Sequence, residues 1–203
     1  MAKVVIFDLG GVYFTDGKEI ASKKIAKKFN LDPKLVSDVM AVSSDFGKQY
    51  RRGDITYEEF WEAVKKILYI DAPAEELNRI WYESYEPVAE VVVIAKKLKK
   101  KGTKLFYLSD NAKDRVDYLQ EKYNFLEEFD KGIFSHEAHV TKRDGPRIFR
   151  LALDETREDA GDIVFIDDRR DHVETAKSLG MQAIQYKNPK QLEADLKKLG
   201  VKF

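Results

Sequence analysis

Val4-Val5-Ile6-Phe7, followed at once by Asp8-Leu9-Gly10-Gly11-Val12, is the stretch that decides the fold. Four consecutive apolar residues leave no polar face, so the run describes a strand covered on both sides, as strands of a parallel sheet are. It breaks at an aspartate and two glycines, which predicts a turn with a carboxylate at the strand's end. In open parallel sheets that edge faces the ligand crevice.

Working outward, the same grammar returns only after a long gap. Lys104-Leu105-Phe106-Tyr107-Leu108 reads as a strand ending at Ser109-Asp110, Gly132-Ile133-Phe134 as a short one, and Ile163-Val164-Phe165-Ile166 as a buried one ending at Asp167-Asp168. Gln182 to Gln185 completes the set, with helical patterns between the strands. From about Lys18 to Tyr85 no strand pattern occurs. Apolar stripes (Ile20, Ile25, Ala26, Phe29; then Leu35, Val36, Val39, Met40), capping-box spacing at Thr56 to Glu59, and Pro73 opening a further helix predict an all-helical insertion. The expected fold class is α/β: a Rossmann-like three-layer sandwich with a parallel sheet, its core made of residues 1–16 and 86–203, and a helical cap made of residues 17–85.

Composition narrows the function classes. The 36 basic and 36 acidic side chains cancel, so no net field draws the chain to nucleic acid or anionic lipid, and the expected partner is a small molecule. No cysteine, no apolar run of membrane-spanning length and no leader pattern after Met1 are found, from which a cytoplasmic protein is expected.

Three strand ends place Asp8, Ser109 and the pair Asp167-Asp168 on one sheet edge, and Thr141-Lys142-Arg143 supplies cations between the last two. Carboxylates from separate strands offer hard oxygen ligands for Mg²⁺, one more offers a nucleophile, and a hydroxyl with a lysine can hold a phosphoryl group. Taken singly, each has a plainer reading as a turn former or helix cap. As an ordered set the chain resembles the haloacid dehalogenase superfamily, in the phosphatase-rich branch whose helical cap follows the first strand. Phe7-Asp8-Leu9-Gly10-Gly11-Val12 is similar to its first motif, Leu108-Ser109-Asp110 to its second, Lys142 to its third, and Phe165 to Ala176 to its fourth.

The resemblance implies a phosphohydrolase acting on a small phosphorylated metabolite in two steps, with Asp8 forming an aspartyl-phosphate that water then hydrolyses. It implies Mg²⁺ as cofactor, held by Asp8, the Gly10 carbonyl and Asp167, with Asp168 or Asp171 binding directly or through water. Ser109 and Lys142 would complete the catalytic set, and phosphate would be held by Ser109, Asp110, Asn111, Lys142 and Arg143.

Departures from the pattern matter as much. The acid/base aspartate normally found two positions after the nucleophile is Gly10, so esters of ordinary alcohols should turn over poorly and good leaving groups, sugar 1-phosphates among them, should suffer less. Asp16, Asp168 and Asp171 are the candidate replacements. Asp110 stands where relatives often carry asparagine, His139 where they often carry glycine, and Lys142-Arg143-Asp144-Gly145-Pro146 is one residue longer than the usual lysine-proline motif. Counting from Ser135 favours Lys142 over Arg143 as its cation.

Among the remaining features, Lys48-Gln49-Tyr50-Arg51-Arg52 lies between cap helices, where Arg51 or Arg52 can recognise an anionic part of the substrate. Trp61 and Trp81 fall on apolar helix faces and read as cap core, His136 and His139 as structural or solvent-facing, and Lys96 to Lys101 as a solvated helix end. The competing function is a catalytically weak or inactive relative that binds a phosphorylated ligand or partner. True dehalogenation needs no metal and leaves Asp167-Asp168 unexplained.

Overall fold

Each helix and strand forms where the apolar pattern and a stop signal agree. In the computed structural model, which describes residues 2–202, the order is β1 (Val4–Phe7), α1 (Gly17–Phe29), α2 (Pro33–Met40), α3 (Asp45–Arg52), α4 (Tyr57–Leu68), α5 (Ala74–Tyr82), α6 (Ala89–Lys100), β2 (Lys104–Ser109) and α7 (Lys113–Tyr123). It continues with β3 (Lys131–Phe134), α8 (Ser135–Ala138), α9 (Arg147–Thr156), β4 (Ile163–Asp167), α10 (Arg170–Ser178), β5 (Gln182–Gln185) and α11 (Pro189–Lys198).

The five strands are all parallel, in the order β3-β2-β1-β4-β5. Alternate residues of β1 serve two different cores. Val5 and Phe7 pack with Val91, Ile94 and Leu98 of α6 and Leu192 and Leu196 of α11, while Val4 and Ile6 pack with Ile148 and Phe149 of α9 and Ala176 of α10. The sheet is therefore the middle of three layers, and every β1 side chain is fully buried. At ~1.5–3 kcal/mol for each fully buried side chain of this kind, such a strand anchors both faces.

Register carries this order to the site. Phe7 pairs with Tyr107 on one side and Ile166 on the other, so Asp8 follows level with Asp167 and beside the end of β2. The Asp8 amide donates to the Ile166 carbonyl at 2.8 Å, extending the ladder one residue past the strand.

Helices α1 to α5 come between β1 and α6, with no strand among them. The insert leaves and rejoins the sheet at one place, where Thr15 N donates to Glu86 O and Val88 N to Tyr13 O, both at 2.9 Å. Thr56 and Glu59 form the expected reciprocal capping box on α4. Trp61 and Trp81 are fully buried in an aromatic cluster with Phe60 and Tyr50, and the Trp61 indole donates to Asn78 Oδ1 at 3.0 Å.

One local reading is corrected. Lys48 to Arg52, expected between helices, belongs to α3. Its sequence, Asp45-Phe46-Gly47-Lys48-Gln49-Tyr50-Arg51-Arg52, is too polar to show an apolar stripe, but Ser44 caps it by accepting from Gly47 N at 3.0 Å. No helix among the described residues is long and apolar enough to cross a membrane.

Candidate active site

At the carboxyl edge of the sheet, a cleft of about 210 Å³ opens between the strand ends and the helical insert, with Asp8, Ser109, Lys142, Asp168 and His172 on the sheet side and Lys18, Ala41 and Arg51 on the insert side. That space is small beside the ~300–1,000 Å³ of sites for drug-sized ligands.

Lys142 stands at the centre of the floor. Its ammonium is 2.6 Å from Asp167 Oδ2 and 3.0 Å from Asp8 Oδ2, with all three side chains buried. Two hydrogen-bonded features fix the backbone that presents it. Asp110 Oδ1 accepts from Lys142 N at 2.9 Å, and Thr141 and Asp144 close a capping box around the short turn from Lys142 to Asp144. Arg143, the alternative cation, is exposed at the cleft wall.

The carboxylates are unevenly compensated. Asp167 gains the lysine, the Arg169 amide at 2.9 Å and the His172 ring at 3.1 Å. Burial opposes its charge, but Lys142 and His172 prevail and hold it down at about 2. Asp8 takes a 2.7 Å hydrogen bond from Leu9 N, yet burial drives its carboxyl well above the usual range despite Lys142, and the charges of Asp167 and Asp168 push the same way. Asp168 is also raised, by burial and then by Asp167. One lysine thus serves three acidic groups.

Asp8, Asp167 and Asp168 bring ligand oxygens within 4.8 Å of one another. A hard divalent cation fits this donor set, because it would supply the positive charge that Asp8 and Asp168 lack. Gly11 makes the approach possible: it has φ +86°, and a Cβ there would stand 3.1 Å from the Asp168 carboxyl carbon.

Of the other expected site residues, Ser109 is buried at the end of β2 and lines the cleft. Asn111 also lines it, although its side-chain oxygen accepts from Arg115 Nε and its backbone N–H donates to Ser135 Oγ at 3.0 Å, so part of its capacity holds the loop. Arg51 reaches the cleft as a buried guanidinium bonded to the Gly47 and Met40 carbonyls at 3.0 and 3.2 Å. Burial, then repulsion from Arg115, draws it down to about 10, so it stays charged at neutral pH. Arg52 is not among the cleft residues; it grips Asp144 with Nη2 at 2.7 Å and Nε at 3.1 Å. His136 hydrogen-bonds the Asn111 carbonyl through Nδ1 at 2.8 Å, and His139 has φ 50°, the left-handed conformation glycine adopts most easily.

Sequence reasoning missed three parts of this environment. Tyr85 lies beside Gly10, Arg115 is a buried cation 4.3 Å above the Trp81 ring, and His172 backs Asp167 with its Nε2 left without a partner. Tyr85 and Arg115 have no local signal, since each meets residues distant in the chain, whereas His172 stands five residues from Asp167 inside the fourth motif, where its contact went unread.

A family model described as haloacid dehalogenase-like hydrolase matches residues 2–180. The chain belongs to that family. Its five-stranded parallel sheet with helices on both faces has the fold of solved members of that family. A protein of Dictyostelium discoideum is 32% identical over 146 residues, covering 70% of this chain and 62% of its own length, so the chain spans less than two thirds of that relative. The sesquiterpene phosphatase astK of Aspergillus oryzae is 21% identical over 182 residues, covering 88% of this chain and 87% of the fungal protein. Among structures, the family enzyme bt-2542 of Bacteroides thetaiotaomicron, in complex with magnesium and inorganic phosphate, superposes with a TM-score of 0.71 at 20% identity, covering 92% of this chain and 95% of the other.

Proposed function

We propose that this hydrolase is a magnesium-dependent phosphatase of small phosphorylated metabolites that works through an aspartyl-phosphate at Asp8. The observation that carries the reading is the buried cluster of Asp8, Lys142, Asp167 and Asp168 on the floor of a small cleft. The magnesium and phosphate complex of bt-2542 and the phosphatase name of the Aspergillus relative support it.

In this mechanism the Leu9 amide and the Lys142 ammonium hold the Asp8 carboxylate by one oxygen each, limiting its rotation. An Asp8 oxygen attacks phosphorus while the ester oxygen departs on the opposite side, and water then cleaves the acyl-phosphate to restore the carboxylate. Ser109, from the end of β2, offers its hydroxyl to a phosphoryl oxygen, and Lys142 balances the charge collected between nucleophile and phosphate. Asp8, Asp167, Asp168 and the Gly10 carbonyl would hold Mg²⁺, whose chemistry there is neutralisation of the phosphoryl charge. Residues 17–85 act as a cap that limits water and substrate size, and Arg51 faces the non-reacting end of a sugar phosphate or similar compound.

Gly10 favours a second reading, a weak or inactive member that binds a phosphorylated ligand or partner. Magnesium-dependent release of p-nitrophenol from its phosphate, abolished by Asp8→Asn, supports the phosphatase. Saturable binding of phosphate with no release by the wild type supports the binder.

A further inference from the structure

The side chain facing the vacant acid/base position is a tyrosine. A Cβ built on Gly10 would lie 3.5 Å from Tyr85 Cε1, the ring carbon next to the one that bears the hydroxyl. The edge of this ring therefore lies in contact with position 10, two residues after Asp8. The ring is admitted by a second glycine: a Cβ on Gly17 would stand 2.3 Å from Tyr85 Cδ2, an overlap no other residue type escapes. Tyr85 is buried, lines the cleft with Asp8 and Gly10, and is held by its backbone, with Tyr123 Oη donating to its carbonyl at 3.1 Å.

Its hydroxyl has an unusual neighbour. Arg115, only 1% exposed, donates from Nη1 to Tyr85 Oη across 3.5 Å, the long limit of a hydrogen bond, and its Nε donates to Asn111 Oδ1. Because the phenol oxygen accepts from a cation, its own hydrogen remains for an acceptor on the cleft side. Burial works against the Arg115 charge, but Tyr85, Tyr50 and Asp114 more than offset it. Arg115 thus places a buried positive charge beside the phenol oxygen.

We infer that Tyr85 replaces the missing acid/base carboxylate, donating its phenolic proton to the departing ester oxygen. The inference rests on the phosphatase reading above. As Asp8 bonds to phosphorus, the bond from phosphorus to the ester oxygen breaks and that oxygen takes the Tyr85 proton, leaving a neutral alcohol and a tyrosinate beside Arg115. In the second step water bonds to phosphorus, its proton returns to the Tyr85 oxygen, and the bond from phosphorus to Asp8 breaks to release phosphate.

The test compares wild type and Tyr85→Phe, with magnesium, on phenyl phosphates of nearly constant shape running from p-nitrophenyl to p-methoxyphenyl. The variant keeps the ring that packs against Gly10 and Gly17 and loses only the hydroxyl. Values of kcat/KM report the step in which the ester bond breaks. The expected result is a steeper dependence on leaving-group basicity, with the p-methoxyphenyl to p-nitrophenyl ratio falling roughly 10²-fold in the variant. A ratio equal in the two proteins, whether or not the variant is slowed, assigns Tyr85 to packing and overturns the inference. Failure of the phosphatase reading is separate: the wild type would then hydrolyse none of the esters.

Discussion

Lys142 sits closer to Asp167 than to Asp8, 2.6 Å against 3.0 Å, although both contacts are buried. The nearer carboxylate is held ionised and the farther is left partly uncompensated, which is the charge pattern a divalent cation completes. Removing one partner of a buried ionic group typically costs ~3–5 kcal/mol, because the remaining charge has nowhere to go. Lys142→Met is expected to lower thermal stability on that scale without magnesium and to regain part of it on magnesium addition. Melting curves with and without the ion check this; an unchanged melting temperature would mean the lysine charge is not structural.

Gly11 gives a second handle on the same cluster. With φ +86° and the Asp168 carboxyl where a side chain would go, Gly11→Ala adds backbone strain and displaces Asp168 together. Magnesium affinity measured by calorimetry should weaken about tenfold, and folding stability should fall by ~1–2 kcal/mol. Undiminished affinity would remove Asp168 from the proposed ligand set.

Asp144 joins the lysine-bearing turn to the insert. Lys48 and Arg52 of α3 reach its Oδ1 at 2.5 and 2.7 Å, while its Oδ2 closes the box on Thr141. Burial opposes its ionisation, yet these hydrogen bonds outweigh it and keep the carboxyl well below the usual range. A carboxyl depressed in the folded state contributes stability that is complete above its unfolded value of ~3.9 and is lost as the pH falls from there toward the depressed value. Asp144→Asn should therefore be less stable than wild type near neutrality, with the gap closing below about pH 4. Denaturant titrations across that range decide it, and a gap independent of pH would contradict the ion pairs. Both cations are partly exposed, so added salt should narrow the gap as well.

Asp114 of α7 is the other attachment of the insert. Tyr50 Oη donates to its two oxygens at 2.9 and 2.8 Å, Asn78 Nδ2 donates at 3.1 Å, and Tyr82 Oη completes the group. Asp114→Ala strands several partly buried donors and is expected to cost about 3 kcal/mol, with Tyr82→Phe costing nearer 1 kcal/mol. Chemical denaturation of the two variants checks the order; equal losses would place the energy in the tyrosine rather than the carboxylate.

What the sequence disclosed follows from where information is local. β1 and β4 were legible because both faces of each strand are buried, which forces unbroken apolar runs, and the Asp8 and Asp167 positions followed from those runs ending. The Thr56 to Glu59 box was legible because its partners are three residues apart. Helix α3 was not, since it docks through Tyr50 and its charged residues rather than an apolar stripe. The longer third motif showed only as an extra residue, because the partners of Asp144 lie on the insert. Tyr85 left no mark at all: its relation to Gly10 exists only once the end of the insert folds back against the first turn.

Turnover through Asp8 requires a covalent bond between its carboxylate and phosphorus. Rapid acid quench of the wild type during turnover of p-nitrophenyl phosphate with magnesium, followed by peptide mass spectrometry, should find a phosphoryl group on Asp8 and none in Asp8→Asn. Phosphate release that continues undiminished in Asp8→Asn, with no phosphorylated peptide in the wild type, would mean that Asp8 is not the nucleophile.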